Sequence, residues 1–222
     1  MWIRSLPLLA ILCFCCVLVG CSRDPVAKSI AELGDSDPAI RRTAARSLGM
    51  QQETSTGVIA ALAKSAADDD AGVRYFAAEA LGRCGSAAQP GLPALKVALA
   101  DSDKRVRVAA AFALRKIDPH DQSFVPVLTA AMREGEGKTL LEIGSLGADA
   151  AWAVPTLTEL LNHQSVQVRV LAAKDLGEIG PSAASAKTSL QAALRDPNPA
   201  VGQAAQRALD QIGGKRPGSD LK

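Results

Sequence analysis

The sequence predicts an all-α solenoid of about six stacked helical hairpins, and three periodic features carry that expectation. Leu48, Leu81, Leu114, Ile143, Leu176 and Leu209 follow one another at intervals of 33, 33, 29, 33 and 33 residues. Each of the first five is followed 14 residues later by a leucine: Leu62, Leu95, Leu128, Leu157 and Leu190. Eight residues before an anchor stands Ile40, Val73, Val106, Val168 or Val201, and three before that a helix-capping type, Asp37, Asp70, Asp103, Ser165 or Asn198. A unit of about 33 residues holds two short helices and cannot bury its own apolar face, so neighbouring units must stack to make a core.

The first twenty residues read as a targeting segment rather than as part of this array. Arg4 supplies a basic start, and Leu6 to Gly20 is an apolar run shorter than the roughly 18 residues of a spanning helix. The run ends in Leu18-Val19-Gly20-Cys21, which resembles a bacterial lipobox. That resemblance implies a lipoprotein signal peptide over 1–20 and a lipid on Cys21. It also implies a short linker over 21–25 and residence at the bacterial cell envelope, on the extracytoplasmic side. One acyl chain gives only marginal membrane binding, so a firm tether needs several.

Cleavage after Gly20 would remove Cys13, Cys15 and Cys16 and leave Cys84 as the thiol of the folded part. Cys84 takes the slot that holds Ile117, Leu146, Ile179 and Ile212 in other units, which reads as a small buried hydrophobe. The cut takes only Arg4 among charged residues, leaving 24 basic against 23 acidic side chains. So even a balance does not suit a nucleic-acid binder.

Within each unit the capping residue opens the second helix, because its side chain accepts from the free N–H groups of the first turn. Pro38 and Pro199 fall where a missing N–H costs nothing. Second helices are therefore predicted to begin near residues 38, 71, 104, 166 and 199. Their positions at +3, +4, +7 and +8 from the β-branched residue, such as Phe76, Ala77, Ala80 and Leu81, form the expected buried stripe. First helices carry Pro93, Pro126 and Pro155 near their starts. The solenoid is predicted over 26–213, with a disordered tail over 214–222 rich in Gly, Pro and charge.

Two runs give the repeat a family likeness: Ile143-Gly144-Ser145-Leu146-Gly147-Ala148-Asp149-Ala150 leading to Val154-Pro155, and Asp103-Lys104-Arg105-Val106-Arg107. They resemble HEAT repeats of the phycobilisome-lyase-like subgroup, across roughly residues 26 to 213. The resemblance implies a right-handed α-α superhelix of HEAT-like hairpins. It also implies a structural ladder in which Arg41, Arg74, Arg107 and Arg169 pair with Asp37, Asp70 and Asp103 across neighbouring units. Gly202 takes the arginine's place in the last unit.

A second stripe, at +2, +6 and +10, points away from the core and, in a HEAT superhelix, toward the concave side. It carries Arg42, Arg46, Tyr75, Arg83, Val108, Phe112, Lys116, Lys174 and Arg207, together with Met50, Glu79 and Glu178. Apolar side chains ringed by cations suit a groove for a protein or peptide partner, acidic in character. The alternative is a solvated face on which Val108 and Phe112 pack against the neighbouring helix. In the fourth unit Glu134-Gly135-Glu136-Gly137-Lys138 replaces both cap and ladder arginine, four residues are missing, and the second helix shrinks to about 138–146. That shortening predicts a kink or a notch, either a recognition loop or a tolerated deletion.

Catalytic chemistry finds little in the chain. His120 and His163 stand alone, and His163 occupies the position of Asp35, Asp68, Asp101 and Asp196 in sister units. There is no metal-ligand spacing, no phosphate-cradling loop and no paired nucleophile and base. The expectation is a non-enzymatic, lipid-anchored scaffold with no cofactor, no metal and no nucleic-acid partner. The alternatives are a bilin-lyase-like protein or lyase partner, as the subgroup suggests, and a plain envelope spacer.

Overall fold

The computed structural model describes residues 24–214; the signal-peptide and lipidation expectations at 1–20 and Cys21, and the tail beyond Gly214, lie outside the described residues. Among them the chain is all-helical. It forms six antiparallel hairpins: α1 (Pro25–Glu32) with α2 (Pro38–Gln51), α3 (Thr56–Ser65) with α4 (Ala71–Arg83), and α5 (Leu92–Ala98) with α6 (Lys104–Ile117). The rest are α7 (Val125–Arg133) with α8 (Gly137–Gly144), α9 (Val154–Leu160) with α10 (Val166–Ile179), and α11 (Lys187–Ala193) with α12 (Pro199–Ile212).

Helix starts follow the capping chemistry. The carboxylates of Asp37, Asp70 and Asp103 accept from the N–H groups of Ala39, Val73 and Arg105, and the Asn198 side chain from Ala200. Ser165 departs from the expectation, because its side chain makes no cap; its own N–H is donated instead to His163 Nδ1. Four connections between units also hold short 3-10 segments that periodicity does not announce, at Gly85–Gly91, Gln122–Phe124, Gly147–Ala153 and Gly180–Ala186. Gly147 enters one of them at φ +55°, in the left-handed region where a Cβ is unfavourable.

The anchors and their partners lie on the shared core axis, with Leu48, Leu62, Leu81, Leu95, Leu114, Leu128, Ile143, Leu157, Leu176 and Leu190 all fully buried. Leu209, on the last helix, is half-buried. Within the predicted stripe Ala77, Ala80 and Leu81 are buried, whereas Phe76 is only half-buried. Consecutive second helices approach closely through glycine against alanine. A Cβ on Gly49 would stand 2.9 Å from Ala80 Cβ, and one on Gly82 or Gly177 would stand 2.9 Å from the Cα of Ala113 or Ala208.

The ladder has a different partner from the one implied by resemblance. Arg41 donates through Nε and a terminal nitrogen to Asp68, Arg74 to Asp101 and Arg169 to Asp196, with distances of 2.6 to 3.0 Å. Each arginine also gives its other terminal nitrogen to two backbone carbonyls of its own hairpin link. Asp37, Asp70 and Asp103 are helix caps and not rungs, because their carboxylates already face the first-turn N–H groups. The rung residue sits two positions earlier, where a turn holds it: the N–H groups of Asp70, Asp103 and Asn198 are donated to Asp68, Asp101 and Asp196. Side-chain hydrogen bonds from the arginines hold these three carboxyls below the usual carboxylate range.

Arg107 breaks the series. It donates to the carbonyls of Asp101 and Ser102, yet makes no contact with a carboxylate among the described residues. The cause is the α7–α8 link, which is three residues long, 134–136, where the other hairpins have five. Gly135 turns this tight link at φ +72°.

Candidate binding cavity between the third and fourth hairpins

Between α6 and α8 the stack of second helices opens. Every other consecutive pair of second helices packs directly, α2 on α4, α4 on α6, α8 on α10 and α10 on α12, but α6 and α8 stand apart. The repeat register supplies the reason. The position of Gly49, Gly82, Gly144 and Gly177 is occupied in α6 by Arg115, and the facing position of Ala80, Ala113 and Ala208 is occupied in α8 by Glu142. A close glycine-alanine approach has no room for a guanidinium and a carboxylate, so the helices separate. A cavity of about 760 Å³ fills the gap.

Its walls combine aromatic rings with charge. On α4, Tyr75 and Phe76 meet edge to face, ring centroids 5.1 Å apart, and Val108 and Phe112 of α6 form the floor. Across the opening Lys138 of α8 lies 3.3 Å from the Tyr75 hydroxyl and 5.8 Å from the centre of its ring. Such contacts hold the two sides of the gap together at one rim without filling it.

Several charges around the cavity are satisfied. Arg42 meets Asp70 at 3.2 Å, Arg105 meets Asp103 at 2.8 Å, Glu79 meets Arg83 at 3.5 Å and Glu142 meets Lys138 at 3.8 Å. Hydrogen bonding from the Arg105 side chain takes the Asp103 carboxyl down to about 2. Arg115 is different, because its Nε is buried without a hydrogen-bond partner. Burial lowers the pKa of this guanidinium, and the charge of Asp149 only partly opposes that. Beside it Lys116 is exposed and in no ion pair among the described residues. The arrangement offers apolar surface for a side chain and, in Arg115 and Lys116, two cations in no ion pair among the described residues, against Glu136 as the one lining acid likewise outside any ion pair.

Of the predicted groove residues, Arg42, Tyr75, Val108, Phe112 and Lys116 line this cavity. Phe112 needs correction as an exposed anchor: it is 8% exposed and serves as floor. Arg46 and Arg83 line a neighbouring hollow of about 140 Å³ with Met50 and Phe76, and the Arg46 guanidinium lies 6.0 Å from the Phe76 ring centre. Lys174 and Arg207 lie farther along, on α10 and α12, outside both spaces. Sequence periodicity missed Phe76, Arg115, Lys138 and Glu142 as wall residues. The signal for Arg115 and Glu142 was present as a departure from the glycine and alanine of their register positions.

Cys84 is buried with its sulfur 3.7 Å from the Glu53 carbonyl oxygen, and burial pushes its thiol pKa up. The described residues contain no cluster of His, Cys, Asp or Glu able to hold a metal ion, and no helix among them is long and apolar enough to cross a membrane.

These features define an α-helical repeat solenoid with one interrupted seam. A HEAT-repeats family model matches residues 26–114, 59–143 and 154–222, and the chain belongs to the HEAT-repeat family. No curated protein matches it significantly. Among solved structures it is similar to an engineered protein at 25% identity and TM-score 0.55, over 86% of this chain and 97% of that one. It is also similar to the complex of CpcE and CpcF of phycocyanin lyase from Nostoc sp. PCC7120, at 24% identity and TM-score 0.53, over 85% and 77%. A designed armadillo repeat protein in complex with the peptide (KR)4 superposes with TM-score 0.50 at 17% identity, over 84% and 99%. These likenesses describe the fold.

Proposed function

We propose that this chain is a non-catalytic HEAT-repeat scaffold that seats a protein or peptide partner in the cavity between α6 and α8, tethered at the cell envelope through a lipid on Cys21. The carrying observation is the cavity itself, about 760 Å³, within the range of roughly 300–1,000 Å³ typical of ligand clefts. Aromatic walls supply rigid contact area, and the unpaired cations of Arg115 and Lys116 favour an acidic partner. The designed armadillo complex supports peptide binding in outline, since a solenoid of similar fold is in complex with a peptide, in that case the basic (KR)4. For the tether, the support is the lipobox-like Leu18-Val19-Gly20-Cys21.

Crosslinking in the native envelope tests the two halves separately. Palmitate labelling and membrane fractionation should be lost in Cys21→Ala. A captured partner should be lost when Val108→Trp blocks the cavity or when Lys116→Glu reverses its free cation, with melting temperature unchanged. Equal capture by wild type and both cavity variants would overturn the binding site, and continued palmitate labelling of Cys21→Ala would overturn the anchor.

A further inference from the structure

Three rungs of the ladder are complete, and they show what a fourth requires. In each, two carbonyls fix one terminal nitrogen of the arginine, so that Nε and the other terminal nitrogen face outward as a fork. In each, an aspartate of the next unit's hairpin link takes the fork with both oxygens, 27 residues on in sequence. In each, that aspartate is held in a turn by an N–H two residues later.

Around the shortened fourth unit the losses do not balance. Unit four has no ladder arginine, and the rung position of unit five is correspondingly His163, whose Nδ1 takes the turn N–H that an aspartate takes elsewhere. That pair of losses is self-consistent. Unit three, however, keeps Arg107 although unit four offers it no aspartate. Arg107 is still held by the carbonyls of Asp101 and Ser102, so its fork is aimed at the place a longer link would fill.

What occupies that place is a hollow of about 210 Å³, walled by Val108, Pro126, Val127 and Ala131 beside Arg107 and Lys104. Two acids border it, but both are engaged: Glu134 pairs with Lys104 at 3.5 Å, and Glu136 accepts from the Thr139 hydroxyl at 2.7 Å. A guanidinium held in a fork is preorganised for bidentate carboxylate binding, and preorganisation removes much of the entropy cost of the contact.

We infer that Arg107 is a vacant rung that takes a carboxylate in trans, from an aspartate in a turn on the protein partner. The hollow adjoins the main cavity, with Val108 and Glu136 bordering both, so the inference rests on the partner reading for the source of that turn. The occupant is an acidic turn of the kind the chain itself presents at Asp68, Asp101 and Asp196, with a small apolar neighbour against Val127 and Ala131.

The full chain can be tested by NMR of its arginine Nε–Hε groups. The probe is a blocked synthetic peptide of residues 64–72, which carries Asp68 in its own turn sequence, with the same peptide bearing Asp68→Asn as control. The expected result is a saturable shift of the Arg107 signal, at least about tenfold tighter for the Asp peptide than for the Asn peptide. Arg41, Arg74 and Arg169 should stay unmoved, and the response should disappear in Arg107→Lys. A shift of Arg107 no larger than those of the exposed Arg46 and Arg83 overturns the vacant rung. So does an Arg107 signal in the free protein already matching the paired three, which would give the rung to Glu134 or Glu136. A concentration-dependent Arg107 shift without peptide, abolished by Asp35→Asn, would assign the rung to a second copy and also overturn the proposal. Partner capture that survives Arg107→Gln but not Val108→Trp removes the rung while leaving the cavity reading intact.

Discussion

Asp175 is the most strained charge in the described structure. It is 1% exposed on α10, packed against Gly144 of α8, and its Oδ2 has no hydrogen-bond partner. Desolvation by burial, aided by neighbouring Glu178 and only partly countered by Lys174, raises its pKa to about 8. An acid raised in the folded state binds more protons there than in the unfolded chain, so its effect on stability worsens as pH rises from about 4 to about 8. Sister interfaces place Ala80, Ala113 or Ala208 at this position. Asp175→Ala should therefore stabilise the protein by about 2 kcal/mol at pH 8, with most of that gain gone at pH 4. Urea denaturation at the two pH values checks this; a gain independent of pH would show that Asp175 is not the titrating group.

At the scale of helices and links, the ladder and the seam follow from where side chains sit relative to the repeat. The Arg74–Asp101 pair is bidentate, with side chains 14% and 9% exposed. Arg74→Gln should cost about 1–2 kcal/mol, a drop of several degrees in Tm, whereas Arg107→Gln should leave Tm almost unchanged because no carboxylate is released. Equal losses in the two variants would mean that the carbonyl contacts, shared by both, carry the stability. The rung partners were only half legible in the sequence. Asp68, Asp101 and Asp196 stood out as one periodic set, but the geometry that brings a link to the preceding unit's helix is non-local. The capping aspartates two residues later offered themselves first. Helix starts were more legible, since a cap acts within three residues and needs no neighbour.

Across the whole molecule, the schedule of anchors made the solenoid legible because periodic burial repeats in every unit, while the cavity was hidden because it arises where the period fails. Arg115 and Glu142 are exceptions to a glycine and an alanine that matter only once the helices face each other. The interruption divides the second helices into two continuous stacks, α2–α4–α6 and α8–α10–α12. Packing between the stacks runs through α7, which touches α6, α8 and α9. Repeat proteins open in units set by their interfaces. Hydrogen exchange should accordingly resolve two blocks meeting near residues 118–138, and the double variant Arg115→Gly with Glu142→Ala should merge them. A single uniform protection profile in the wild type would contradict this division.

The clasp of Lys138 on Tyr75 then takes on a mechanical meaning. With α7 as the joint and this one polar contact as the rim, the compliance of the chain is concentrated at a single place, and a guest in the gap acts as a shim that sets the angle between two levers. Occupancy would be felt at both ends of the stack, so that what is caught in the middle can be read at either end of the described helices.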